Sequence, residues 1–170
     1  TGLYLRLKRF TPSASEDLRT AMLVQDQNID LVIDVGANTG QFAESLYDFG
    51  YTGRVVSFEP VSGPYEQLRK RSRPYPRWTV AERCAIGDTD GEIEINVTDD
   101  TVFSSVLEIK DSYVSHNPKS RIVGKEKIPV HRLDTIADNY IQNPGERILL
   151  KVDTQGYEKQ VLDGAAELLQ

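Results

Sequence analysis

The chain holds only one cysteine and two histidines in 170 residues. So few soft ligands all but exclude a zinc cluster of Cys and His, and a single thiol cannot build a disulfide framework. A free thiol fits a reducing compartment, so the cytoplasm is the expected location. No apolar run approaches the roughly 20 residues that a membrane-spanning helix needs, so no transmembrane segment is expected. Positive charge is also in short supply, with 20 Lys+Arg against 26 Asp+Glu and a net charge of −6. That balance disfavours a nucleic-acid partner, which would be held by neutralising its phosphates. With 39% hydrophobic residues and no repeats or low-complexity tracts, the length fits one globular domain with a sizeable core.

What is present is an alternation of short apolar runs with helical patterns. Residues 1–30 read as a helical lead-in, in which Ser13 and Glu16 form a capping-box pattern ahead of Leu18, Met22 and Leu23, and Asn28 ends the helix. Leu31–Val35 is a buried strand carrying one acid, Asp34. A helix follows from Gln41, with Phe42, Leu46 and Phe49 on one face and Gly50 as its stop. Arg54–Phe58 is a second strand, Pro64–Ser72 a helix, and Trp78–Ala81 with Arg83–Ile86 a third strand. This order predicts an α/β fold built on a parallel, doubly wound, Rossmann-like sheet.

The middle departs from the rhythm. Gly91–Val97 alternates polar and apolar residues, as a half-solvated strand does, and Lys127–His131 reads as another, which predicts a small antiparallel insertion. Between them lies a polar stretch, residues 99–125, in which Phe103–Val106 is either an acceptor lid or a surface loop. Asp134 is the expected N-cap of a helix over Thr135–Tyr140. Arg147–Val152 is a strongly apolar strand, and a last helix starts near Gly156 and runs to the terminus.

The most informative segment is Asp34-Val35-Gly36-Ala37-Asn38-Thr39-Gly40. A strand that ends in a tight glycine turn and opens a helix lets a ligand approach the backbone closely. The spacing is G-x-x-x-G, whereas a dinucleotide pyrophosphate is held by G-x-G-x-x-G. A carboxylate at Asp34 suits an amino group better than a phosphate. Glu59 lies nineteen residues past Gly40 at the next strand end, where an acid accepts hydrogen bonds from ribose hydroxyls. Loop and acid together describe a nucleoside with an amino-acid tail, S-adenosylmethionine. The plainer alternative makes Gly36 and Gly40 a simple turn and Glu59 a solvated loop acid.

Five segments carry a resemblance: IDVGANTGQFA (33–43), VVSFEPVSGPYEQL (55–68), CAIGDTDGEIEI (84–95), VHRLDTI (130–136) and LLKVDTQGYEKQVLDGA (149–165). The sequence resembles the FkbM family of S-adenosylmethionine-dependent methyltransferases, within the class I superfamily. The K-x-D-x-x-G-x-E core at Lys151, Asp153, Gly156 and Glu158 is its most specific part. The resemblance implies methyl transfer to a hydroxyl oxygen, often of a sugar in a glycolipid, glycopeptide or secondary metabolite. It implies a small-molecule or glycoside acceptor as partner. It also implies the class I strand order 3-2-1-4-5-7-6, of which this sequence reads through strand four. Residues 31–170 are therefore expected to be an S-adenosylmethionine-binding domain seen without its later strands, as a piece of a longer chain.

The candidate cofactor residues are Asp34, Gly36, Ala37, Asn38, Thr39, Gly40, Glu59, Pro60, Ala85, Ile86 and Asp153. Ala85 and Ile86 are expected to pack against adenine, as the resemblance suggests. Asp153 is the first candidate beside the methyl group. It can hold the methionine amino group, accept the acceptor's proton or ligate a divalent cation; capping the helix at Gly156 is compatible with each. Glu158 is a site candidate on resemblance, and its place in a first helical turn also suits the helix dipole. His131 is a candidate general base, against the plainer role of a surface or capping histidine. Cys84 reads as a core thiol. Two other classes stay open: a nucleoside-binding module without catalysis, and an NAD-dependent oxidoreductase, which the glycine spacing weakens.

Overall fold

The computed structural model describes residues 15–98 and 122–170. The opening segment, Ser13, Phe103–Val106 and His116 lie outside the described residues. Helix α1 (Glu16–Asp26) is capped by Ser15, whose side chain accepts from the Leu18 N–H. The cap is thus Ser15 where the pattern suggested Ser13. The helix buries Leu18, Ala21 and Val24, one face at helical spacing, and Asn28 follows it with a φ of 51°.

Four strands make the central sheet: β1 (Leu31–Val35), β2 (Arg54–Phe58), β3 (Trp78–Val80) and β7 (Ile148–Val152). Their order is β3-β2-β1-β7, and all three pairings are parallel. The helices α2 (Gln41–Asp48) and α3 (Ser62–Ser72) fall in the connections. Strands covered on both faces read as unbroken apolar runs, which is why LVIDV and RVVSF are nearly free of alternation. On one face Val32 and Val55 pack with Leu18, Leu46, Leu68 and Trp78. On the other, Leu31, Ile33, Val56 and Phe58 pack with Leu133, Val161 and Ala165.

The expected third strand is two elements. Trp78–Val80 stays in the main sheet, while β4 (Ala85–Ile86) joins a second sheet of order β4-β6-β5. There β5 (Gly91–Thr98) pairs antiparallel with β6 (Ile122–His131), and β4 pairs parallel with β6. The insertion is therefore mixed, and β6 begins five residues earlier than its apolar pattern suggested. Cys84 is buried in the connection between the sheets.

Two helix readings need correction. Asp134 lies in the first turn of the short α4 (Leu133–Ile136), which continues as a 3-10 turn over Ala137–Asn139; Arg132 is its N-cap. The Asp134 carboxylate instead accepts from the Glu167 and Leu168 N–H groups at 3.1 and 3.0 Å. The last helix, α5, covers only Glu158–Asp163. Gly164, its C-cap, lies against the segment after β4, where a Cβ would sit 1.9 Å from the Gly87 carbonyl oxygen.

Candidate functional site

Parallel strands end together, so the segments after β1, β2 and β7 converge at the carboxyl edge of the sheet. Gly36 and Gly40 take φ values of 73° and 91°, and Asn38 one of 50°. Both glycines are required by space as well as by φ. A Cβ on Gly36 would sit 2.0 Å from the Asp153 carbonyl oxygen, and one on Gly40 would run into Trp78 and Leu68. The loop N–H groups are largely spent inside the protein. Gly36 and Ala37 donate to the Phe58 carbonyl, Gly40 donates to Ala37, and Asn38 donates to Glu59 Oε2 at 2.8 Å.

Glu59 is 5% exposed, and its other oxygen accepts from the Val61 N–H at 2.8 Å. Burial pushes its carboxyl up to about 7, against the opposing pull of those two hydrogen bonds. The acid therefore clamps the glycine loop to the end of β2, which the pattern of an acid nineteen residues on did not reveal. Pro60 beside it is half-buried, and its carbonyl accepts from Arg83.

Asp34 is fully buried, and the amino group it holds is the chain's own. Lys151 Nζ lies 3.0 Å from Asp34 Oδ1 and donates to the Gly36 carbonyl at 3.1 Å. Ser57 Oγ donates to Asp34 Oδ2 at 3.1 Å, and Trp78 Nε1 donates to Ser57 Oγ at 3.0 Å. One side chain from each strand of the sheet thus forms a continuous polar chain, Trp78–Ser57–Asp34–Lys151, beneath the loop. Burial holds the Asp34 carboxyl above the ordinary carboxylate range despite the ammonium beside it. Asp34, expected among the cofactor residues, is enclosed at 0% exposure, with Lys151 between it and the exposed Asp153.

Asp153 emerges at the end of β7 with a side chain 59% exposed, 3.9 Å from Lys151 Nζ, and accepts from Gln155 Nε2. It does not cap α5, whose N-cap is Tyr157. Glu158 folds back to accept from the Gly156 N–H at 2.8 Å, and that bond lowers its carboxyl. Ala85 and Ile86 are 5% and 3% exposed, each built into a core cluster.

His131 belongs to another neighbourhood. At the end of β6, its Nδ1 is 3.4 Å from Asp90, which also accepts from the Arg132 N–H and Thr135 Oγ1. With Cys84 and Tyr140 it lines a cavity of about 320 Å³. Among the described residues, no hydrogen bond or ion pair joins His131 to Asp153 or Glu158, and no group of three or more His, Cys, Asp and Glu side chains is gathered for a metal ion. A larger cavity of about 780 Å³ opens at the amino ends of the strands, where Arg54 pairs with Glu146 and Asp30 accepts from the Arg147 N–H.

The sequence reading missed Lys151 and Ser57 as partners of Asp34. A signal was there: LVIDV, RVVSF and ILLKV each carry a polar residue at the fourth position, and the register aligns those positions across the sheet.

A glycine turn, a buried acid and an exposed carboxylate thus meet at the carboxyl edge of an open α/β sheet, the edge at which folds of this class hold their ligands. Residues 34–170 match the Methyltransferase FkbM domain. The chain belongs to the FkbM methyltransferase family. No curated protein matches the chain. A solved chain from work titled "Conversion of a Disulfide Bond into a Thioacetal Group during Echinomycin Biosynthesis" is 15% identical, with a TM-score of 0.29; the match covers 87% of this chain and 66% of that one. So distant a likeness carries no argument about function. Among the described residues, no helix is long and apolar enough to cross a membrane.

Proposed function

We propose that this chain binds S-adenosylmethionine at the carboxyl edge of its sheet and takes part in methyl transfer to a hydroxyl oxygen of a sugar, glycolipid or secondary metabolite in the cytoplasm. The observation that carries this reading is the pairing of a loop with few free N–H donors to two carboxylates, Glu59 and Asp153. A pyrophosphate is held by free backbone N–H groups, and those of Gly36, Ala37, Asn38 and Gly40 already have partners. Hydroxyls and an ammonium group need acceptors, which this edge supplies.

The residues present fit that cofactor. Each Glu59 oxygen accepts one backbone N–H and keeps a lone pair for a ribose hydroxyl. Asp153 is exposed and can hold the ammonium of an amino-acid tail or take the proton of the acceptor hydroxyl. Gly36 and Gly40 keep the loop thin, so a ligand lies against backbone. When bound, S-adenosylmethionine supplies a methyl group on a positively charged sulfur. The chain's part is to align the acceptor oxygen with that carbon and to exclude water.

Calorimetry with S-adenosylmethionine, S-adenosylhomocysteine and NAD tests the reading. Saturable binding of the first two supports it; binding of NAD alone overturns it. A methylated-product assay on a glycoside panel then separates an enzyme from a binding module.

A further inference from the structure

We infer that Lys151 is a positioning residue for the amino-acid tail of the cofactor, an inference that rests on the function proposed above. The polar chain of the sheet ends on its ammonium, which is only 21% exposed as a side chain. The ammonium is ion-paired with Asp34 Oδ1 at 3.0 Å and donates a hydrogen bond to the Gly36 carbonyl at 3.1 Å. The first fixes the ammonium in the sheet, and the second fixes the loop to it. From there the charge faces Asp153 Oδ2 at 3.9 Å and sits 5.5 Å from the centroid of the Phe42 ring at the start of α2.

Lys151 therefore makes its close contacts at the β1 and β7 edges of the site, and reaches Glu59 at the β2 edge only as the smallest of the charges and bonds acting on it. The β2 edge has its own clamp, Glu59, bonded to Asn38 and Val61. The division of labour follows the ligand's chemistry. Glu59 serves the nucleoside end, and Lys151 orders the Gly36 carbonyl and Asp153, two acceptors placed for the tail's ammonium. Asp34, enclosed behind Lys151, sets the lysine's position.

The test compares two ligands that share the nucleoside: S-adenosylhomocysteine, which has the amino-acid tail, and methylthioadenosine, which lacks it. Titration calorimetry is run on the wild type, Lys151→Met, Lys151→Arg and the double variant Asp34→Asn/Lys151→Met, which leaves no orphaned buried charge and so guards against unfolding. Glu146→Gln, at the opposite pole of the sheet, controls for lost stability. Losing the order that Lys151 imposes on the Gly36 carbonyl and Asp153 weakens S-adenosylhomocysteine about tenfold in both methionine variants. Methylthioadenosine affinity stays within about twofold, since none of its groups meets Lys151. Lys151→Arg recovers part of the loss, and Glu146→Gln alters neither ligand. Equal weakening of both ligands, or of neither, overturns the inference while the cofactor reading stands. A wild type that binds neither ligand removes the cofactor reading, and the inference with it.

Discussion

Replacing Lys151 with Met removes, among the described residues, the only cation paired with Asp34, a carboxylate with no exposed surface. Asp34 would keep one hydrogen bond, from Ser57 Oγ. Removing one partner of a buried ion pair costs about 3–5 kcal/mol, mostly the penalty of the stranded charge. A chain of this size loses roughly 2–4 °C of midpoint per kcal/mol, so the drop is on the order of 10 °C. Asp34→Asn/Lys151→Met removes the charge as well and is expected to recover half or more of the loss. Trp78, the one tryptophan, is 6% exposed and bonded into the same polar chain, so urea denaturation followed by its fluorescence reads the event directly. The sign with pH is fixed. Without Lys151, the folded-state pKa of Asp34 rises still further above its unfolded value near ~3.9, so the deficit is absent below that value and grows as pH rises through the folded one. A loss under about 1 kcal/mol, or a double variant no more stable than the single, would refute the buried pair as the sheet's electrostatic link.

Glu59, with its carboxyl pushed up to about 7, gives wild-type stability that is fully present below its unfolded pKa and lost as pH rises through 7. Glu59→Gln is expected to remove that slope, at most ~1.4 kcal/mol per pH unit, in urea midpoints taken at several pH values; an unchanged slope would clear Glu59 of the role. Gly36→Ala places a Cβ 2.0 Å from the Asp153 carbonyl, whereas Gly50→Ala meets nothing at a similar φ of 91°. Thermal melts are expected to show a loss of about 1 kcal/mol for Gly50→Ala and several-fold more for Gly36→Ala. Asp134→Ala strips the acceptor from the Glu167 and Leu168 N–H groups, and amide exchange should speed up at those two positions first; unaltered exchange would show the carboxylate is dispensable.

The strands were legible because burial on both faces writes itself as short apolar runs, and LVIDV, RVVSF and ILLKV match β1, β2 and β7 closely. The glycine turn was legible because Gly36 and Gly40 mark positive φ and close approach. What the sequence concealed depends on register. Asp34 and Lys151 are far apart along the chain, and they meet only because β1 and β7 pair Asp34 opposite Lys151. A carboxylate in such a strand looks like a ligand group until its neighbour is known. Asp134 shows the same limit for caps. Its chemistry fits any nearby N–H, and the donors that won belong to the turn after α5. The run from Trp78 to Ile86 read as one strand since both halves are apolar, and only the pairing with β6 divides it.

The measurement that bears most directly on the site is a map of backbone amide chemical shifts as S-adenosylhomocysteine is added to the wild-type chain. Saturating shifts confined to Gly36–Gly40, Glu59–Val61 and Asp153–Gly156 are expected. No shifts at all, or shifts gathered at Asp30, Arg54 and Arg77 around the cavity at the opposite ends of the strands, would contradict the placement of the cofactor.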